Sequence, residues 1–419
     1  MAAAVLTDEQ TSTKPTVADL PKPRWRSAMR MSGFGYLWFF GAIAAFNPYI
    51  AMYYRSLGFS GLQVGILTAM PAVGLAMSGP FWGSIMDAMG IHRLVLRLAL
   101  ILTALFAIAV ANVSGFTTVF VFVTALAFSF VPLRALLDSY AMSVANRTQS
   151  SFGTIRSWGS VGYFVAVLGL GELMGKDVSN LFLYAYAGFL ILTFVSMWGL
   201  PDLAPRQPSN IIGGLKDVST NKPLVLLYVV AFLLMIAYAT IYLALGIHMK
   251  DTLGGSANQV GIAFAVGAAF ELPAFVYGNR LIRKFGETKL ITFVIAMYAL
   301  RFLILAAVPT AAWVIPVQTL HMVTFALFLV ISVPMAHKLD GGQHPATTQA
   351  LLTTTSFGFG NIVGSVGGGA LLDVVGTANL FLIASGLLVV TLVIFLIGAR
   401  MLKLDHVLRI ANRRMRGLD

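Results

Sequence analysis

Apolar residues gather in long runs along almost the whole chain, separated by short segments rich in Gly, Pro and charge. A helix rises about 1.5 Å per residue, so a run of roughly 20 residues matches the ~30 Å hydrocarbon core of a bilayer. Twelve candidate spans follow, near 31 to 54, 63 to 86, 94 to 112, 117 to 144, 153 to 174, 179 to 199, 224 to 247, 260 to 280, 289 to 308, 313 to 336, 347 to 371 and 378 to 400. Lipid offers no hydrogen bonds, so each span must satisfy its own backbone, and the element expected for every run is a helix.

The longest internal polar segment, "PDLAPRQPSNIIGGLKDVSTNKP" (Pro201 to Pro223), falls after the sixth run and divides the chain into two sets of six. The pattern predicts an all-α polytopic membrane protein of twelve transmembrane helices in two pseudo-symmetric halves. An N-terminal six-helix bundle is expected over 31–200, a cytoplasmic central loop over 201–223, a C-terminal six-helix bundle over 224–402, and a basic cytoplasmic tail over 403–419. Residues 1–30 mix Asp8, Glu9, Lys14 and Asp19 with Thr and Pro, and read as a disordered cytoplasmic tail without the apolar core of a signal peptide.

Composition supports this class. Hydrophobic residues make up 58% of the chain, charged ones only 11%, and the mean hydropathy is +0.84. The net charge of +12 could suggest nucleic acid as a partner, but the basic residues are scattered over short segments between spans. Topology accounts for them. With both termini inside, Arg55, Lys176 and Lys250 fall outside, Arg134, Arg156 and Arg301 fall within spans, and the rest of the 28 Lys and Arg face the cytoplasm. This orientation places the chain in a cell membrane, inner or plasma, as a multi-pass protein. The C-terminal "RIANRRMRGLD" reads as a short basic amphipathic helix, solvated or facing lipid. The absence of cysteine removes disulfides and thiolate chemistry, and the dispersed histidines, with no Walker A or H-E-x-x-H pattern, give metal, cofactor and catalysis no foothold.

Between the second and third spans, "GSIMDAMGIHR" sets Gly83, Asp87, Gly90 and Arg93 in the spacing G-x-x-x-D-x-x-G-x-x-R. The glycines permit a tight helix end, and the carboxylate can accept from backbone N–H groups or pair with a basic neighbour. This resembles the inter-helix loop signature of the major facilitator superfamily, with Ala88 where a basic residue is usual and a degenerate second copy, "NRLIRKFG", in the other half. Asp87 reads as a latch between cytoplasmic helix ends, or as a simple helix cap.

Ionisable side chains within spans are costly unless they pair or line a water-filled cavity. Arg134, Asp138, Arg156, Glu271 and Arg301 qualify. Arg134 and Asp138 are four apart and share a helix face, so a self-cancelling local pair is one reading. The other brings in "SFGTIRSWGSVGY", which carries Arg156 and Tyr163 on one face of the next helix, so that Asp138 has either arginine within reach. Here the chain resembles the lactose permease and nucleoside:proton symporter branch, in which an acidic residue of helix four lies 18 positions before an arginine in "FG-x-x-R-x-x-G" and both bind substrate. Asp138 and Arg156 have that spacing. The resemblance puts Tyr163 where the permeases carry a ring that stacks on sugar.

In the second half, Arg301 precedes His321 by 20 positions, and Gln318, His321 and Phe325 fall on one helix face. The permease resemblance implies a proton-coupling network around such an arginine and histidine, although its flanking lysine and glutamate are Gln318 and Thr324 here. Glu271 in "AAFELPAFVYG", a carboxyl in an apolar setting, is the substitute proton carrier, or else a neutral packing residue. The set "E-x-P", "RF" and "Q-x-L-H-x-x-T-F" is similar to the phenylpropionate permease-like branch. Three arginines against one ionised carboxylate favour an anionic or strongly polar solute, with Tyr238 among the candidate stacking rings and Asn47 among the polar ones. The resemblance implies a monomeric secondary transporter, with no cofactor, coupling protons to an aromatic acid, nucleoside or sugar. Proton-driven efflux of an amphipathic compound, or a non-transporting receptor or scaffold, are the rival readings.

Overall fold

The computed structural model describes residues 22–148, 151–200, 203 and 214–414, and among these every regular element is helical. The N-terminal helices are α1 (Lys22–Phe46), α2 (Ile50–Ser56), α3 (Gly61–Met89), α4 (His92–Ala111), α5 (Phe116–Thr148), α6 (Phe152–Met174) and α7 (Leu181–Met197). A short α8 (Leu215–Thr220) leads to α9 (Lys222–Ile247), α10 (Ala257–Phe285), α11 (Glu287–Ala307), α12 (Ala311–Val317), α13 (Leu327–Asp340), α14 (Pro345–Thr353), α15 (Asn361–Met401) and α16 (Leu404–Arg414). Ten described helical runs are long and apolar enough to cross a membrane. α7 is a shorter apolar helix, and the run Pro345–Met401 is broken at Gly376, whose φ of 75° and ψ of 171° only glycine adopts without strain. That break lies in the gap expected between 371 and 378, so the helices are consistent with the twelve expected.

Three boundaries differ from expectation. Helix α1 starts at Lys22, so residues 22–30 are not a tail: Ala28 is buried in the core, and Met31 packs against Gly199 at the end of α7. Residues 1–21 lie outside the described residues. The central segment, described from Gly214 on, contains α8, and α9 begins at Lys222, where the Asn221 side chain caps the Leu224 N–H. The span expected over 313–336 is irregular: a 3₁₀ turn at Gln318–His321 and a π-helical turn at Met322–Ala326 separate α12 from α13.

α1 packs on α5, α6 and α7, and α4 on α5 and α7, while α9 packs on α15 and α11 on both α13 and α15. Lipid takes the place of water outside: Leu94, Leu98, Leu102 and Leu105 form an exposed stripe along α4. Two seams join the N-terminal to the C-terminal helices, α3 on α15 and α6 on α10. They begin alike. α3 opens with "SGLQVGI" and α10 with "SANQVGI", each with a capping box, Ser60 with Gln63 and Ser256 with Gln259. The glycine that follows lets a neighbouring backbone in: a Cβ on Gly261 would lie 2.8 Å from the Val167 carbonyl, and one on Gly369 would lie 2.7 Å from the Cα of Gly65.

At the end of the bundle opposite the described termini, polar groups close both seams. Arg55 pairs with Asp373 at 2.8 Å, and the Gly61 N–H donates to the same carboxylate. Lys250 pairs with Asp177 at 2.5 Å, Asn258 donates to Glu172 at 2.6 Å, and the Asn258 N–H donates to the Gly175 carbonyl.

Candidate functional site

Two polar clusters face each other across the seams. The first rests on α1, α5 and α6. Asp138, on α5, accepts a hydrogen bond from the Tyr36 hydroxyl, and Nη1 of Arg156 lies 4.0 Å from the same carboxylate oxygen. Tyr36 is buried, and its ring stacks on Phe40 one turn along α1. Phe40 in turn lies beneath both guanidiniums, 5.9 Å from Arg134 and 5.6 Å from Arg156, close enough for cation–π attraction. Gly159 explains why the ring fits: a Cβ there would lie 2.7 Å from it. Asp138 and Arg156 keep 39% of their side-chain surface accessible, so both charges can be reached from outside the packed helices.

The second cluster is drier. Arg301, on α11, is 1% exposed and gives three hydrogen bonds: to Nδ1 of His321 at 2.9 Å, to Oγ1 of Thr324 at 3.0 Å and to Oε1 of Gln318 at 2.6 Å. Nε2 of His321 lies 2.9 Å from the Glu271 carboxylate on α10. A guanidinium only donates, so Nδ1 of His321 must accept and the ring proton sits on Nε2, which donates to Glu271. A second proton on His321 would set two donors face to face at Arg301. The chain of hydrogen bonds therefore runs from Arg301 through His321 and ends on the Glu271 carboxylate as its last acceptor. The 3₁₀-to-π change of helix geometry at His321, five residues after Pro316, positions these side chains; such irregular turns recur at functional positions.

Rings line the space between the clusters. Tyr238 stacks on Phe325 with centroids 4.3 Å apart and on His321 at 6.3 Å, and its hydroxyl donates to Tyr242. Tyr163 is half-buried beside Phe264, around Ala44, Ala166, Val167 and Ala265 at the α6–α10 seam. Arg134 lies within electrostatic range of both Asp138 and Glu271, which ties the two clusters into one site.

The structure thus brings together Arg134, Asp138, Arg156 and Tyr163 on one side and Glu271, Arg301, Gln318, His321, Phe325 and Tyr238 on the other. Arg301 and Gln318 are spent on each other, and neither offers accessible surface to a solute. The charge open to the cavity is correspondingly smaller than three arginines suggest. Asn47 sits in the turn between α1 and α2, eleven residues beyond Tyr36 or ~16 Å along the helix, and does not join the cluster. Gly83 and Asp87 lie in the last turns of α3, the Asp87 side chain being outside the described residues, and Gly90 ends the helix with a left-handed φ of 60°. Arg93 lies in the first turn of α4. Tyr36 and Phe40 escape a sequence reading because "GYLWFF" is one aromatic run among many; their spacing of four, which puts both on one face, is the signal that could have found them.

The model of the MFS_1 like family matches residues 28–383. The chain belongs to this family. It is a major facilitator transporter and a multi-pass membrane protein. A maltose permease of Geobacillus stearothermophilus is 28% identical over 84% of this chain and 90% of its own length. The probable 3-phenylpropionic acid transporter of Escherichia coli (strain K12) is 25% identical, over 71% of this chain and 79% of its own. The crystal structure of the nucleoside transporter NupG has the same fold, with a TM-score of 0.79 at 16% identity, covering 89% of this chain and 98% of that one. The major facilitator fold expected from the spans and the α3–α4 loop is therefore the one this family transporter has.

Proposed function

We propose that this transporter is a proton-coupled symporter that takes up a small polar or anionic organic solute, an aromatic acid, nucleoside or sugar, by alternating access. One observation supports the reading: the hydrogen-bonded Glu271–His321–Arg301 chain shares the interior of the bundle with Arg134, Arg156 and Asp138, whose side chains keep accessible surface for a polar solute. Arg156 would bind the solute through its planar fork, with Asp138 held in place by Tyr36 and with Tyr163 and Phe325 as stacking surfaces, while Tyr238 is buried against Phe325 and backs it instead of meeting the solute. A proton on Glu271 weakens the acceptor that orients His321, and so links protonation to the wall on which Phe325 and Tyr238 stack. Neither bond-making chemistry nor a cofactor is needed, and the unit is a monomer.

The two sets of six helices form equivalent halves, with both termini cytoplasmic and the protein in a cell membrane. The sealed end then faces outward, and the state described is inward-facing. The Gly83–Arg93 loop acts as the latch of the opposite, outward-facing state.

Efflux of an amphipathic solute is the second reading, favoured by the flat Tyr238–Phe325–His321 stack, which offers an apolar wall. Proteoliposomes with an imposed pH gradient and a panel of labelled sugars, nucleosides and aromatic acids separate the two. Accumulation down an inward proton gradient is expected; gradient-driven expulsion would establish efflux instead.

A further inference from the structure

We infer that the junction of α15 and α16 is a binding site for an anionic phospholipid, separate from the transport cavity. α15 ends at Met401, and Lys403 takes a left-handed φ of 48°, a conformation strained for any residue with a β-carbon. The bend turns α16 sideways against α13 and α11, where Leu404 and Leu408 are buried. A cavity of about 480 Å³ opens in the angle, lined by Arg400, Lys403, His406 and Arg409 with Asp405 as the one acid. The bend at Lys403 gathers that cluster around one shallow hollow, where a straight helix would spread the same cations along its length.

The helix leading to this cavity is apolar and uncovered. Val389, Val393, Ile397 and Met401, four apart along α15, are all exposed. A ligand with a phosphate diester at one end and acyl chains at the other fits both features: the phosphate against Arg400, Lys403 and Arg409, the chains along the α15 stripe. Free phosphate or a soluble phosphate ester would use the cations alone, whereas a phospholipid held against the lipid-facing stripe uses both. Basic pockets beside membrane-spanning helices bind anionic headgroups for this reason.

The test uses the full-length transporter in a neutral detergent, by native mass spectrometry with phosphatidylglycerol and phosphatidylcholine at equal concentration. The wild type should retain phosphatidylglycerol in preference, and Arg400→Gln/Lys403→Gln/Arg409→Gln should lower that retention about tenfold while phosphatidylcholine stays unchanged. Arg280→Gln/Arg283→Gln/Lys284→Gln removes as many exposed charges from another helix end, and should leave retention intact. An equal loss in both triple variants, or none in the first, would overturn the site. In the wild type alone, phosphatidylglycerol should raise Tm more than phosphatidylcholine does; an equal rise would also overturn it. Displacement of the lipid by millimolar glycerol phosphate would show a soluble-anion site and refute the lipid assignment.

Discussion

Tyr36 changes the meaning of Asp138. A carboxylate inside a membrane protein needs a partner, and a local ion pair with Arg134 is the simplest one the spacing allows. In the structure the partner is a buried tyrosine from another helix, and Arg156 stands at the outer limit of an ion pair, 4.0 Å away. Its side chain keeps 39% of its surface accessible. Arg156→Lys keeps the charge but loses the planar donor pair, and should weaken solute affinity about tenfold or more with little change in folding. Tyr36→Phe removes one hydrogen bond to a charged group, a loss of about 1.5–3 kcal/mol for such a bond, and should cost affinity about tenfold. Equilibrium binding of a solute found in the panel checks both, and an Arg156→Lys protein that binds as tightly as wild type would take that residue out of the site. None of these pairings is carried by local sequence: Tyr36 and Asp138 lie 102 positions apart, and Glu271 and His321 lie 50 apart. Spacing along one helix shows which side chains share a face, and only tertiary packing decides what that face meets.

Helices were easier to read, because each must carry enough apolar residues to cross the bilayer, and that requirement is written locally. The gap between the last two expected spans falls on Gly376, while the polar composition before residue 30 hides the start of α1, a helix that packs through Ala28 and Met31. The repeated "S-x-x-Q-V-G-I" opening of α3 and α10 is a local signal too, and it marks the two seams between the N-terminal and C-terminal helices. Gly369→Val would drive side-chain atoms into the α3 backbone at Gly61, 2.5 Å from the added Cβ, with no flexible side chain there to yield. The closed α3–α15 seam should open. The chain has no cysteine, so Ser114→Cys and Thr310→Cys give a clean pair for spin-label distances across the sealed end. A longer distance is expected in the Gly369→Val background, and an unchanged one would show that the seam tolerates a side chain.

For the whole molecule, the closed end rests on tight backbone packing with ion pairs at its rim. Lys250, by hydrogen bond and charge, holds the Asp177 carboxyl below the usual carboxylate range. A lowered pKa in the closed state means that the pair favours closure while Asp177 is ionised and stops doing so only as pH falls through that lowered value. The spin-label distance should therefore stay constant from neutral pH down to about pH 5, above where an ordinary aspartate titrates. Asp177 is largely exposed, and exposed pairs contribute little, so Asp177→Asn should shift the distance far less than Gly369→Val does. The proton that matters for transport is assigned to Glu271, inside the bundle, where it meets the solute cavity.

Glu271→Gln tests that assignment most directly. The amide keeps the shape and can still accept from His321, but it cannot load a proton. In proteoliposomes with an inward proton gradient, the wild type should concentrate the solute, while the variant should exchange labelled for unlabelled solute at near wild-type rates without concentrating it. Uphill accumulation by Glu271→Gln would contradict the account.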